Sequence, residues 1–251
     1  MIESASCQQF PASRWPCSRG ALEVGLHRAL YIREERLETG HASCRLLYIS
    51  DIHLRSGRCE ALCRQVLDAV DHCKPHAVLL GGDLVDRSSM LGSLRELVGK
   101  LREVTFVLAI GGNHDKRIGM DRVREAVEHG GGQWIQDGTA RVTDDQRVIV
   151  VSGPDTAAPV AGDVRVLCAH NPRIWKTAGS DGYDLVLAGH LHGGQIVAFE
   201  YRDRLFPGAI LYPYCFLSHQ RGSTRLVVSR GVSDLVPIRW RCPREVVLCS
   251  V

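Results

Sequence analysis

The sequence predicts an α/β fold organised on parallel strands, and three observations carry the prediction. Short apolar runs alternate with stretches of helical period. Each of the early runs ends in residues that offer a carboxylate, an amide or an imidazole. Those polar ends, at Asp51, Asp83 and Asn113, recur about every 30 residues, the length of a βαβ unit. Right-handed crossovers would bring them to one edge of a sheet, where open α/β sheets take their ligands.

Taken in order, residues 1–20 combine Ser, Gln, Pro11 and Pro16 without a period, which predicts a disordered tail ahead of one domain over 21–251. Leu30 to Leu37 alternates and is expected as an edge strand. Arg45 to Ser50 is a short buried strand that delivers Asp51-Ile52-His53. Cys59 to Cys73 has helical spacing, with Leu62, Val66, Leu67 and Val70 on one face, and Pro75 ends it. His76 to Leu80 is the next strand and leads into Gly81-Gly82-Asp83-Leu84-Val85-Asp86-Arg87. Ser88 and Ser89 are expected to cap a helix that reaches Arg102, with Leu91, Leu94, Leu97, Val98 and Leu101 as its apolar stripe. The run from Val104 to Ile110 then presents Gly111-Gly112-Asn113-His114-Asp115, whose glycines permit a tight bend and close approach to a ligand.

A helix near Asp121 to His129 follows, and the texture then changes. Gln133 to Ile135, Arg141 to Thr143 and Arg147 to Ser152 read as short strands of a second, more antiparallel sheet. Asp163 to Ala169 is a strand ending at His170-Asn171-Pro172, with a short helix to about Ala178. Asp184 to Ala188 leads into Gly189-His190-Leu191-His192-Gly193-Gly194-Gln195, and Thr224 to Ser229 and Glu245 to Ser250 are two further strands.

The bulk numbers narrow the function class. An apolar content of 45% and a charged content of 24% are those of an ordinary globular protein. A net charge of +3 makes no case for nucleic acid. The ten cysteines include no C-x-x-C pair, which suggests buried thiols in a reducing compartment rather than a disulfide framework. No apolar stretch approaches the roughly 18–20 residues of a bilayer span, and Pro11, Arg14, Pro16 and Arg19 break any signal-peptide core. A cytoplasmic protein is expected.

The polar strand ends collect Asp51, His53, Asp83, Asn113, His170, His190 and His192. Carboxylate, imidazole and amide without thiolate suit a divalent transition metal such as manganese, iron or zinc. These are more donors than one ion takes, and with one carboxylate shared they would serve two. The set resembles the calcineurin-like metallophosphoesterase family, whose signature is D-x-H, G-D, G-N-H-D/E, a lone H and then G-H-x-H. Every element is present in order between Arg45 and His192.

The resemblance implies a four-layer αββα sandwich of two mixed sheets with the metals where the sheets meet. It implies two divalent cations, manganese first and iron or zinc as alternatives. Asp51, His53 and His192 would hold one ion, and Asn113, His170 and His190 the other, with Asp83 between them. A metal-bridging hydroxide would then hydrolyse a phosphomonoester, phosphodiester or pyrophosphate. His114 would serve the leaving group as proton donor. Asp86 matches the carboxylate that orients this histidine and is preferred to Asp115, while Arg87 matches a phosphate-binding arginine. The remaining histidines are read as ordinary surface or hydrogen-bonded residues.

The second half also resembles a bacterial subgroup with a G-H-T-H-G-G-Q motif, through His190 to Gln195, Ser229-Arg230-Gly231, Pro237-Ile238-Arg239 and Pro243-Arg244-Glu245. Leu191 replaces the usual threonine. That subgroup implies a lipid-linked substrate such as UDP-2,3-diacylglucosamine, hence lipid A synthesis. Residues 199–222 gather Phe199, Tyr201, Phe206, Tyr212, Tyr214 and Phe216 with Arg202, Arg204 and Arg221. They are read first as core-packing strands around a Pro-Gly turn, and alternatively as a peripheral membrane contact. A nuclease or cyclic-nucleotide phosphodiesterase of the same fold, and a non-catalytic scaffold, are the competing functions. The first of these lacks a basic stripe, and the second predicts lost ligands where none is lost.

Overall fold

The computed structural model describes residues 22–24, 29–37, 43–57, 59–144, 146–178, 182–234 and 236–251. The tail expected over 1–20 lies outside them. The first half of the chain builds β1 (Leu22–Val24), β2 (Tyr31–Arg36), β3 (Arg45–Ile49), α1 (Cys59–Cys73), β4 (Ala77–Gly81), α2 (Leu91–Arg102), β5 (Phe106–Ile110), α3 (Asn113–Ile118) and α4 (Met120–His129). Then come β6 (Gln133–Trp134), β7 (Thr139–Thr143), β8 (Val148–Ser152), β9 (Val164–Cys168), α5 (Trp175–Ala178) and β10 (Leu185–Ala188). The remainder forms β11 (Val197–Tyr201), β12 (Arg204–Pro207), α6 (Gly208–Leu211), β13 (Ser218–Arg221), β14 (Thr224–Val228), β15 (Ile238–Trp240) and β16 (Glu245–Ser250).

Two six-stranded sheets result, ordered β2-β16-β3-β4-β5-β6 and β13-β14-β10-β9-β8-β7. The chain is thus an α/β fold of two mixed sheets with helices outside. In β3, Leu46 and Tyr48 point to the apolar layer between the sheets, and Leu47 and Ile49 point to the layer under α1, α2 and α4. Covering on both faces explains why such strands read as unbroken apolar runs. The outer layer over the second sheet is thin. Trp175 and Ala178 of α5 pack there with Leu167, Val186 and Leu226.

Three expectations need correction. Gln133–Trp134 does not open the second sheet; it pairs in parallel with β5 and ends the first. The second sheet is not mainly antiparallel. Strands β8, β9, β10 and β14 run parallel, and only the edges β7 and β13 reverse, because hairpins join just those edges to their neighbours. Neither Ser88 nor Ser89 caps a helix by its side chain; both lie in a 3₁₀ turn that precedes α2.

The sheets are tied at one end by buried charge. Glu245, at the start of β16, accepts from the Arg230 backbone and guanidinium and lies 3.2 Å from Arg33 Nε of β2. Arg33 in turn donates to the carbonyl of Val228 in the second sheet (2.8 Å) and to that of Leu217, just before β13 (3.2 Å). All three charged side chains are buried. Removing one partner from such a group strands the others. Glu245→Ala is therefore expected to lower the unfolding free energy by about 3–5 kcal/mol, read from urea denaturation curves; a loss below about 1 kcal/mol would show that the tie is not structural.

Candidate metal centre

Every strand that ends at this site ends by its carboxyl terminus. Asp51 and His53 follow β3, Asp83 and Asp86 follow β4, and Asn113 and His114 follow β5 as the first turn of α3. His170 follows β9, and His190 and His192 follow β10 on the second sheet. The loops are laced to one another: His53 N donates to Asp83 O (2.9 Å), Gly189 N to His170 O (2.9 Å) and Ser233 N to Asp51 O (3.0 Å). The bends are sharp enough that Asp51, His53, Asp83, His190 and His192 all adopt positive φ. L-residues rarely do so without support from their surroundings.

Glycine leaves the room these side chains need. A Cβ on Gly112 would stand 2.1 Å from Asp83 Oδ1, and one on Gly189 2.5 Å from Asp51 Oδ2. Asp115 locks the same bends from below. Its buried carboxylate accepts from the amides of Leu84 (2.9 Å), Val85 (3.0 Å) and Gly112 (2.9 Å). Burial raises its pKa in spite of these bonds. Asp115 therefore holds two motif loops together, and the His114 ring bonds to Asp86 instead.

Three overlapping groups of donors converge among the described residues. Asp51, His53 and His192 form one, Asp83, His170 and His190 another, and His53, Asp83 and His114 a third that joins them. His53 Nε2 stands 3.8 Å from Asp83 Oδ2 between them. Asn113 Oδ1 joins the second group at 3.1 Å from His170 Nε2, and His190 Nδ1 lies 3.2 Å from that same atom.

In three of the rings one nitrogen is already committed. His53 Nδ1 donates to Asp86 (2.7 Å), His170 Nδ1 to Gly81 O (3.0 Å) and His192 Nδ1 to Ser233 O (3.1 Å). That leaves Nε2 of His53 and His192 to face a cation, the usual arrangement around a ligating histidine, while Nε2 of His170 faces Asn113, His190 and, at 3.3 Å, Asp83 Oδ2. His53 Nε2 is buried and has no hydrogen-bond partner among the described residues. An orphaned imidazole nitrogen in a ring of carboxylates fits a metal ligand.

The charges agree with this. Burial pushes the Asp83 carboxyl up, but the bond and charge of His170, the His114 amide and His53 outweigh it and hold it well below the usual range. Asp51 is lowered in the same way, by His192, His170 and His53 against burial. Burial lowers His170, yet Asp83 and Asp51 lift it to about 9, whereas burial prevails at His192 and takes it down to about 4.

His114 sits beside the donors, its ring 4.6 Å from that of His53. Its Nδ1 donates to Asp86 Oδ1 (2.8 Å), the oxygen that also takes His53. The other Asp86 oxygen meets Arg55 Nε at 3.1 Å, and Arg55 also donates to Asp234 O (2.7 Å). The sequence reading missed Arg55, which carries no signal beyond its nearness to His53. It also missed Ser233, held in place by the buried Arg239 through its carbonyl (2.8 Å). Arg87 is exposed, next in the chain to Asp86.

Against this geometry, residues 44–194 match the calcineurin-like phosphoesterase family. The chain belongs to it. Phosphodiesterase YaeI of Escherichia coli (strain K12) is 25% identical over 94% of this chain and 90% of its own length. An uncharacterized metallophosphoesterase of Helicobacter pylori (strain J99) is 26% identical over 80% of this chain, which spans 58% of that protein. Among solved structures, TT1561 of Thermus thermophilus aligns with a TM-score of 0.49 and 12% identity over 76% of this chain and 90% of that one. A metallophosphoesterase acting on phosphoester bonds, with His and Asp clusters able to bind metal, is thereby established.

The aromatic segment does not pack as first read. Phe216 is 7% exposed, but Phe199 is 55%, Ile210 73% and Leu211 75% exposed, with Tyr201 and Tyr212 also at the surface. The β11–β12 hairpin and α6 carry these side chains outward, beginning just past the His192–Gly194 turn.

The clamp by Asp115 is open to test. Asp115→Ala leaves three buried amides unpaired, at roughly 1–3 kcal/mol each. It is expected to destabilise the fold by at least about 3 kcal/mol and to weaken manganese binding measured by calorimetry. Asp115→Asn, which keeps an acceptor oxygen, should lose less of both.

Proposed function

We propose that this metallophosphoesterase uses two divalent cations to hydrolyse a phosphodiester or pyrophosphate in a lipid-linked substrate, at an anionic membrane surface. The observation that supports a two-metal site most is the meeting of two three-donor groups across His53 and Asp83. In this reading Asp51, His53 and His192 hold one cation, Asn113, His170 and His190 the other, and Asp83 serves both. Manganese is the first candidate and iron or zinc the alternatives, since the donors are oxygen and imidazole without sulfur. Bound cations would supply Lewis acidity toward the phosphoryl oxygens and a water acidic enough to attack phosphorus.

The chain's own residues do the rest. Asp86 fixes the His114 ring through Nδ1, leaving Nε2 to pass a proton to the departing oxygen. Arg55 holds Asp86 from the far side. Exposed Arg87, beside Asp86, is assigned to a phosphate oxygen of the substrate.

The lipid side of the proposal is supported by the exposed Phe199, Tyr201, Ile210, Leu211 and Tyr212, with Arg202, Arg204 and Arg221 also exposed among them. Aromatic and aliphatic groups seat in the interface while arginines meet anionic headgroups. Among the described residues no helix is long and apolar enough to cross a membrane, so contact in this reading is peripheral. The described cysteines are free thiols, which favours the cytoplasmic side. Membership of the diacylglucosamine-cleaving subgroup is the specific form of this proposal.

Two experiments test it. His114→Ala is expected to lower kcat/KM on an alkyl phosphodiester by about 10²–10⁴-fold. On bis-p-nitrophenyl phosphate, whose leaving group needs no proton, the loss should be far smaller; equal losses would remove His114 as proton donor. Separately, the double variant Ile210→Ser, Leu211→Ser should reduce binding to phosphatidylglycerol vesicles by at least about tenfold, since each side chain buried is worth about 1.5–3 kcal/mol. Its rate on the soluble diester should not change. Undiminished vesicle binding would detach the membrane from the proposal.

A further inference from the structure

The candidate donors come from two sheets. Asp51, His53, Asp83 and Asn113 follow strands of the first, and His170, His190 and His192 follow strands of the second. A site split in this way depends on how the sheets are held, since donors must stay within about 0.5 Å of their working positions. The two histidines after β10 are tied to the loop of Asp51. His190 N donates to its carboxylate at 3.1 Å, and the amide of Ser233, whose carbonyl receives His192, donates to its carbonyl at 3.0 Å. His170 has a different anchor.

That anchor begins at Tyr48 of β3, fully buried in the apolar layer between the sheets. Its hydroxyl crosses the layer and donates to the carbonyl of Ala169 at 2.7 Å. Ala169 is the residue directly before His170. The ring has room because Gly81, at the end of neighbouring β4, carries no side chain; a Cβ there would overlap the Tyr48 phenol. Gly81 also completes the clasp, for its carbonyl accepts from His170 Nδ1 at 3.0 Å. Two successive residues of the second sheet are thereby pinned to two adjacent strands of the first.

The two bonds do different work. The Gly81 carbonyl sets how the imidazole is turned, and the Tyr48 hydroxyl sets where the backbone beneath it stands. Together they place His170 Nε2 at 3.3 Å from Asp83 Oδ2, 3.1 Å from Asn113 Oδ1 and 3.2 Å from His190 Nδ1. Drift of the Ala169 carbonyl would carry the ring away from all three. Phenylalanine would fill the same apolar layer, so packing alone gives no reason for a hydroxyl there. Burying that hydroxyl costs free energy unless it is bonded.

We propose that Tyr48 is a positioning residue of the metal centre, which sets the reach of His170 and thereby the affinity for the cation that Asp83, Asn113, His170 and His190 would hold. The assignment rests on the two-cation reading above. Tyr48 acts through the Ala169 carbonyl, from the sheet opposite to the ligand it places.

Manganese titration of Tyr48→Phe, followed by calorimetry and electron paramagnetic resonance, tests the assignment. The parent is expected to bind two equivalents in separable steps and to show the broadened spectrum of a coupled ion pair. In Tyr48→Phe one step should weaken by about tenfold, the scale of one lost buried hydrogen bond, and the other by less than about threefold. At two equivalents of manganese the coupled spectrum should give way to the six-line spectrum of isolated ions, while the circular dichroism of the metal-free chain stays that of the parent. Equal weakening of both steps, an unchanged pair of steps, or loss of the fold in Tyr48→Phe would overturn the assignment. A parent that takes up a single equivalent would instead overturn the two-cation reading, and this assignment with it.

Discussion

The constraint on which the rest of this molecule depends is that two sheets must bring their strand ends to one buried point. No strand can continue through that point, so the chain turns at once after β3, β4 and β10. It does so in left-handed backbone at Asp51, Asp83 and His190, and again at His53 and His192. Such conformations cost about 1–3 kcal/mol each and persist only where the surroundings over-determine them. Those surroundings are specific here. Asp115 gathers three amides beneath two bends, Gly112 and Gly189 leave the bends room, and Arg239 braces the loop that carries Ser233.

The same crowding sets the electrostatics. Asp51 and Asp83 are buried carboxylates that remain below their ordinary range because imidazoles surround them. The imidazoles do not respond alike: His170, against Asp83, rises to about 9, while His192 falls to about 4 under burial. Buried carboxylates beside imidazoles, with no sulfur among them, are donors a divalent cation accepts, which is why the set reads as a metal centre on chemistry as well as on family membership. Asp86 adds a second level of order, since one of its oxygens serves His53 and His114 together.

Much of this was legible in the sequence, for a physical reason. Ligand types at strand ends follow local rules: an apolar run, a glycine, then polar groups. The residues from Asp51 to His192 that the structure brings together could therefore be picked out one motif at a time, Asp86 beside His114 among them. What escaped depends on distant partners. The sheet membership of Gln133–Trp134 rests on pairing with β5, and the buried state of Arg33 rests on Glu245, about as far away as the chain allows. Helix α3 escaped because Asn113 both opens it and belongs to a motif read as a loop. The outward face of 199–222 escaped because composition counts aromatic residues without saying which way a hairpin turns them.

The position of β16 has a consequence for how the protein is made. This strand lies between β2 and β3, parallel to the first and antiparallel to the second. Strand β3, which leads into Asp51 and His53, therefore waits with an open flank until residues near 250 have left the ribosome. Pairings of such long sequence separation form slowly, and an unpaired apolar strand edge invites association in the meantime. The nascent chain would carry nearly all its metal donors before it owned a sheet able to hold them. The topology thus leaves an apolar strand edge open through most of translation, however stable the finished enzyme is.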